Sequence, residues 1–90
     1  MISMASIPSL ARHYRMQWEQ AQGCHVLLYP EGMIKLNDSA AEILLQCDGC
    51  NNVAGIVTAL EHKFPSAEGL DIDVIEFVGG AHGEGWIRVV

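Results

Sequence analysis

Leu27-Leu28-Tyr29-Pro30-Glu31-Gly32-Met33-Ile34-Lys35-Leu36-Asn37-Asp38-Ser39-Ala40-Ala41-Glu42-Ile43-Leu44 passes from a strand period to a helix period with no linker between them. Pro30 presets φ for the first position of a turn and Gly32 accepts the left-handed conformation. Pro30-Glu31-Gly32 therefore reads as a type I turn ending in a bulge between two short strands. The period then changes. Asn37 or Ser39 caps a helix, and Glu42 falls three residues after Ser39, as a capping box requires. Ala40, Ile43, Leu44 and Cys47 recur at helical spacing until Asp48-Gly49 stops them.

Upstream of this block, Tyr14, Met16 and Trp18 alternate with Arg15 and Gln17, the period of a half-buried strand beginning near His13. Residues 19–23 form a polar connection. Strands over 26–29 and 33–36 complete a three-stranded antiparallel sheet, in which Ile34 and Leu36 face the core while Met33 and Lys35 face outward. Residues 1–12, with serines around a proline and little periodicity, read as a flexible arm ahead of one domain over 13–90.

Downstream, the spacing predicts three helices. The first covers 38–47. The second starts at an Asn51 or Asn52 cap, buries Val53, Ile56, Val57 and Leu60, and ends at Pro65. The third follows Ser66 and places Leu70, Val74, Phe77, Val78 and Ala81 on one face. Gly79-Gly80 costs close to 1 kcal/mol per glycine relative to alanine, so that helix is expected to kink or fray there. An extended segment over 86–90 closes the chain. Strands, three helices and a closing strand make an α+β domain of winged helix-turn-helix-like order.

Ninety residues suffice for one small domain that buries about 60 to 65% of its unfolded surface, too little for a deep catalytic cleft. Eleven carboxylates face five Lys and Arg residues, a balance that repels phosphate backbones and argues against nucleic acid. A helix-turn-helix reading of DNA meets the same objection at its reading helix. Residues 67–84 hold no lysine or arginine but do hold Glu68, Asp71, Asp73, Glu76 and Glu84. No apolar run reaches the roughly 20 residues that span a bilayer, and no signal-peptide pattern opens the chain, so a cytoplasmic protein without a membrane partner is expected.

Cys47-Asp48-Gly49-Cys50 has the spacing of a redox pair or a zinc half-site, with Cys24 and His62 as conceivable further ligands. A redox pair sits at a helix N-terminus, where the dipole lowers a thiol pKa, whereas Cys47 ends a helix, where the dipole raises it. A structural zinc site needs a second recognisable ligand pair, which this sequence lacks. Odd cysteine number and no secretion signal indicate reduced thiols. The histidines at 13, 25, 62 and 82 are scattered, no nucleophile sits in a Gly-flanked elbow, and Asp71, Asp73 and Glu76 read as a solvated helix face. No catalytic residue, metal or cofactor is therefore expected.

The ordered set of motifs resembles the PqqD family, small proteins of pyrroloquinoline quinone (PQQ) biosynthesis. The matching pieces are Ile7-Pro8-x-Leu10, Trp18, the hairpin from Val26 to Gly32, Leu36-Asn37-x-x-Ala40, Asp48-Gly49, Asp73-Val74-Ile75-Glu76-Phe77 and Gly85-Trp86. Ala81, smaller than the family's usual leucine, and Glu84, in place of a commonly basic residue, depart from the pattern. The resemblance implies a winged-helix-like fold and a non-catalytic peptide chaperone that presents the precursor peptide of PQQ to a radical SAM enzyme. Two alternatives stay open: an adaptor for another modified-peptide pathway, and a small thiol- or quinone-binding protein that needs Cys47 or Cys50.

Ile72, Ile75 and Gly79 form a second stripe on the third helix, offset from the core stripe. By residue type alone they either complete the core or leave an apolar wall beside the outer strand Met33, Ile34, Lys35 and Leu36, where an extended peptide adds by β-augmentation. The resemblance favours the groove, because relatives of this fold recognise leader peptides there. These seven residues are the expected peptide-binding set, with Lys35 placed to meet a peptide carboxylate. The polar connection over 19–23 also allows strand exchange, so a monomer or a weak strand-exchanged homodimer is expected.

Overall fold

The computed structural model describes residues 1–89. Five strands and three helices follow one another as β1 (Pro8–Leu10), β2 (Arg15–Glu19), β3 (Cys24–Tyr29), β4 (Gly32–Lys35), α1 (Asp38–Leu45), α2 (Val53–Lys63), α3 (Leu70–Gly83) and β5 (Ile87–Val89). β2, β3 and β4 form the expected antiparallel meander, with Met16, Leu27 and Ile34 aligned across it. That row packs on the core, so the alternation fixes the register, as a one-residue slip would turn Met16, Leu27 and Ile34 away from it. Gly32 pairs directly opposite Tyr29 with φ 157°, so the hairpin loop is the two residues Pro30 and Glu31 and not the bulged turn expected from sequence.

The helices form for local reasons the sequence states well. Asn37 Oδ1 accepts from the Ala40 amide at 2.8 Å, and Asn52 Oδ1 accepts from the Gly55 amide at 2.8 Å, each satisfying an otherwise orphan donor of a first turn. Asn37, not Ser39, is therefore the α1 cap. Glu42 does not close a capping box but pairs with Lys63 of α2 at 2.6 Å. α1 ends at Leu45, earlier than expected, and Cys47 still reaches the core one step beyond.

α3 differs from expectation at its glycines. The helix runs unbroken through Gly79 and Gly80 to Gly83. Val74, Val78 and Ala81 are buried along it against α2, α1 and β5, and this packing outweighs the poor intrinsic propensity of two glycines. Its end is a Schellman motif. Gly85 takes φ 83°, the Gly85 amide donates to His82 O at 3.1 Å, and the Trp86 amide donates to Ala81 O at 2.9 Å. Trp86 is thereby turned onto Phe77, ring centroids 6.5 Å apart, and the chain continues into β5. Val90, the last residue of the expected closing segment, lies outside the described residues.

The expected flexible arm over residues 1–12 is corrected by the structure. Pro8–Leu10 pair antiparallel with Ile87–Val89 as a separate two-stranded sheet, and Pro8 is fully buried. The same segment caps α2 from outside, since the Val53 and Ala54 amides donate to Ser6 O and Met4 O, both at 2.9 Å. Asp48-Gly49 receives it on the other side. The Gly49 amide donates to Pro8 O at 3.0 Å, Gly49 has φ 79°, and a Cβ there would stand 3.4 Å from Ser9 Cβ. The glycine stop that ends α1 is also the place where β1 approaches the backbone.

Candidate functional site

β4 is an edge strand, and among the described residues no further strand pairs with its outer side. The Leu36 amide donates to His25 O at 3.0 Å. Antiparallel alternation then turns the main-chain groups of Gly32, Ile34 and Leu36 toward β3 and those of Met33 and Lys35 toward the open edge. Two residues thus offer N–H and C=O groups to an added chain. Their side chains, Met33 (46% exposed) and Lys35, lie on the outer face, while Ile34 and Leu36 point into the core.

The α3 residues divide in a way that periodicity left undecided. Ile72 is 59% exposed and belongs to no core contact, Ile75 is half-buried and packs on the core, and Gly79 is half-buried one turn further. Ile34, Leu36 and Ile75 therefore share one core, with Ile72 projecting beyond it. The structure packs Ile34, Leu36 and Ile75 on the common core and leaves Met33, Lys35 and Ile72 as exposed side chains. Asp71, Asp73 and Glu76 surround Ile72 on the exposed side of α3.

Charge is segregated along the chain. Up to Asn37 there are three Lys or Arg residues against two carboxylates, and from Asp38 onward two against nine. The helical part therefore carries the acidic field, while Arg15 and Lys35 lie on the sheet and Arg12 just ahead of it, a division that favours partners with cationic groups at the helices.

A cavity that no sequence period announces opens where β4 turns into α1. It has a volume of about 320 Å³ and lies between α1, the end of α2 and the start of α3. A second concavity of about 520 Å³ sits beside the hairpin, against Tyr14 and Tyr29, whose rings stack at 5.5 Å.

The cysteines do not converge. Cys47 is buried and its thiol donates to Ile43 O at 3.4 Å, Cys50 is exposed, and Cys24 is half-buried on the sheet. Among the described residues no three His, Cys, Asp or Glu side chains could hold a metal ion together. Burial, with a smaller push from the Asp48 carboxylate, moves the Cys47 thiol from its ordinary 9.0 up to about 12. Asp48 moves the other way. Its Oδ1 accepts from the Asn51 amide at 3.0 Å and the Cys50 amide at 2.9 Å, bonds that hold the carboxyl below its usual value.

The thiol shift has a stability consequence. The folded chain keeps the Cys47 proton in a range where the unfolded chain releases it, so stability is unaffected below pH 9 and falls as pH rises from there toward 12. At pH 10 the loss is on the order of 1 kcal/mol. Denaturant titrations at pH 8 and pH 10 should lose that increment in Cys47→Ala; an equal pH dependence in both proteins would contradict the assignment.

The comparisons with known proteins bear on this geometry. The family model described as Coenzyme PQQ synthesis protein D (PqqD) matches residues 24–87, which include β3, β4 and all three helices. The chain belongs to the PqqD family. A relative from Azotobacter vinelandii, named PqqA binding protein, is 54% identical over 97% of this chain and 95% of its own length. One from Pseudomonas aeruginosa with the same name is equally similar. Among solved structures, the solution structure of the PqqD portion of Methylobacterium extorquens PqqCD superposes with a TM-score of 0.80 at 26% identity, covering 98% of this chain and 95% of that one. That structure is described as a stand-alone recognition element for ribosomally synthesised and post-translationally modified peptides. The crystal structure of PqqD from Xanthomonas campestris covers 93% of this chain and 94% of its own at 32% identity, with a TM-score of 0.54. A PqqD fold thus carries the winged-helix-like arrangement, and the clasp of β1 with β5 is its added feature over the sequence expectation. Among the described residues no helix is long and apolar enough to cross a membrane.

Proposed function

We propose that this PqqD-family chain is a non-catalytic carrier that binds the precursor peptide PqqA and holds it for a radical SAM enzyme. The observations that carry the reading are an unpaired β4 edge and an apolar Ile72 on α3 that stands 59% exposed, in a chain 54% identical to PqqA binding proteins over nearly its full length. Main-chain bonds from Met33 and Lys35 supply sequence-tolerant affinity, and the Ile72, Ile75 and Gly79 face supplies side-chain selectivity. Lys35 meets a peptide carboxylate at the outer rim. The exposure of Ile72 disfavours the view that this stripe merely completes the core. The thiol-dependent alternative loses Cys47, which is buried with a raised pKa where a thiolate is the reactive form, and is left with the exposed Cys50 alone.

Calorimetry with synthetic Pseudomonas aeruginosa PqqA should give a saturable one-to-one isotherm, and mass spectrometry should find the peptide unaltered after prolonged incubation with the protein alone. Absence of binding, or a covalent change in the peptide without a partner enzyme, would overturn the reading.

A further inference from the structure

The cavity of about 320 Å³ has apolar walls and an anionic rim. Ile43 of α1, Leu60 of α2, Phe64 at the C-cap of α2 and Leu70 of α3 form the walls, with Ile43 and Leu60 buried at the base and Phe64 41% exposed at the mouth. Asp38, Glu42, Glu68 and Asp73 form the rim. Lys63 answers one of them, lying 2.6 Å from Glu42 and 5.7 Å from the Phe64 ring centroid. Asp38, Glu68 and Asp73 take no salt bridge among the described residues. The N-termini of α1 and α3 each bring about half a positive charge to this end of the molecule, so the rim keeps an excess of roughly two negative charges.

The volume lies at the lower end of the range for ligand pockets, which suits one long side chain better than a whole small molecule. An apolar shaft beneath a negative rim matches an aliphatic stem with a cationic head, the composition of lysine and arginine. Position supplies the link to the peptide. Asp38 follows Lys35 by three residues, so an extended segment laid along the β4 edge crosses from the strand to the rim in about 10 Å. We infer that this cavity receives one lysine or arginine side chain of the bound peptide, fixing the peptide's register against β4 and α3. The inference rests on the carrier reading above and deepens it by naming what the peptide must contain.

A double-mutant cycle tests it. Each lysine and arginine of synthetic Pseudomonas aeruginosa PqqA is replaced by alanine in turn, and every peptide is titrated against the wild-type chain, Asp73→Asn and Glu68→Gln. Glu68 lies in the connection between α2 and α3, so Glu68→Gln leaves both helix starts intact, and circular dichroism verifies the fold of each variant. One peptide replacement should weaken wild-type binding by about tenfold, with that loss shrinking to less than about threefold in both variants. Losses of equal size in all three proteins, variants that bind the unaltered peptide as the wild type does, or variants that change self-association instead would overturn the pocket assignment alone. Failure of the unaltered peptide to bind the wild type would overturn the carrier reading together with it.

Discussion

Deleting residues 1–10 is expected to destabilise the domain by at least ~3 kcal/mol. The segment contributes fully buried Pro8 and partly buried Ile2 and Leu10, and its loss uncovers Ile87, which is 3% exposed. Burial of two or three such side chains contributes a few kcal/mol. Loss of the Ser6, Met4 and Pro8 carbonyls also leaves the Val53, Ala54 and Gly49 amides without their acceptors, at about 0.5 to 1.5 kcal/mol each where water does not fully replace them. A domain of this size has only modest stability to lose. Urea titration followed by tryptophan fluorescence or circular dichroism reads the effect, and an unchanged midpoint would mean that β1 is the dispensable arm its composition suggests.

Ile72→Asp is the second large effect, and it falls on binding alone. Ile72 occupies the first turn of α3, where the helix dipole favours a carboxylate but Asp71, Asp73 and Glu76 repel one, and its exposed side chain makes no core contact, so folding should change little. Covered by a peptide, the same carboxylate must shed its water against apolar groups. Calorimetry should register a loss of about 2 to 4 kcal/mol in peptide affinity. Ile75→Asp is a less clean probe, since half-buried Ile75 packs on the core and its replacement disturbs fold and binding together. Wild-type affinity in a folded Ile72→Asp chain would remove Ile72 from the site.

What was legible in the sequence follows from range of interaction. The hairpin, the Asn52 cap and the stripes Val53-Ile56-Val57-Leu60 and Leu70-Val74-Val78 are set by residues within a few positions of each other, and each lies where its spacing put it. β1 and β5 are three residues each, too short to display a period, and their pairing joins the two ends of the described chain. Pro8 reads as a breaker, yet its missing N–H suits an edge position and its ring is buried. At Gly79-Gly80 propensity gave the wrong outcome because the buried partners of Val78 and Ala81 come from other elements. The candidate site was legible at β4, where alternation separates Met33 and Lys35 from Ile34 and Leu36. It was ambiguous on α3, because angular position alone does not tell whether a neighbouring element covers Ile72. The cavity between the helices was not legible at all, since its walls come from three elements and its rim residues read individually as solvated carboxylates.

The most direct test of the central claim is the map of backbone amide shift changes in the labelled wild-type chain on adding synthetic PqqA. Peptide addition at the β4 edge against α3 predicts the largest changes at Met33, Ile34, Lys35 and Leu36 and at Ile72, Ile75 and Gly79, with the β1–β5 clasp little affected. Changes centred on Val53, Ile56 and Val57 of α2, or on Pro8–Leu10 and Ile87–Val89, would contradict it.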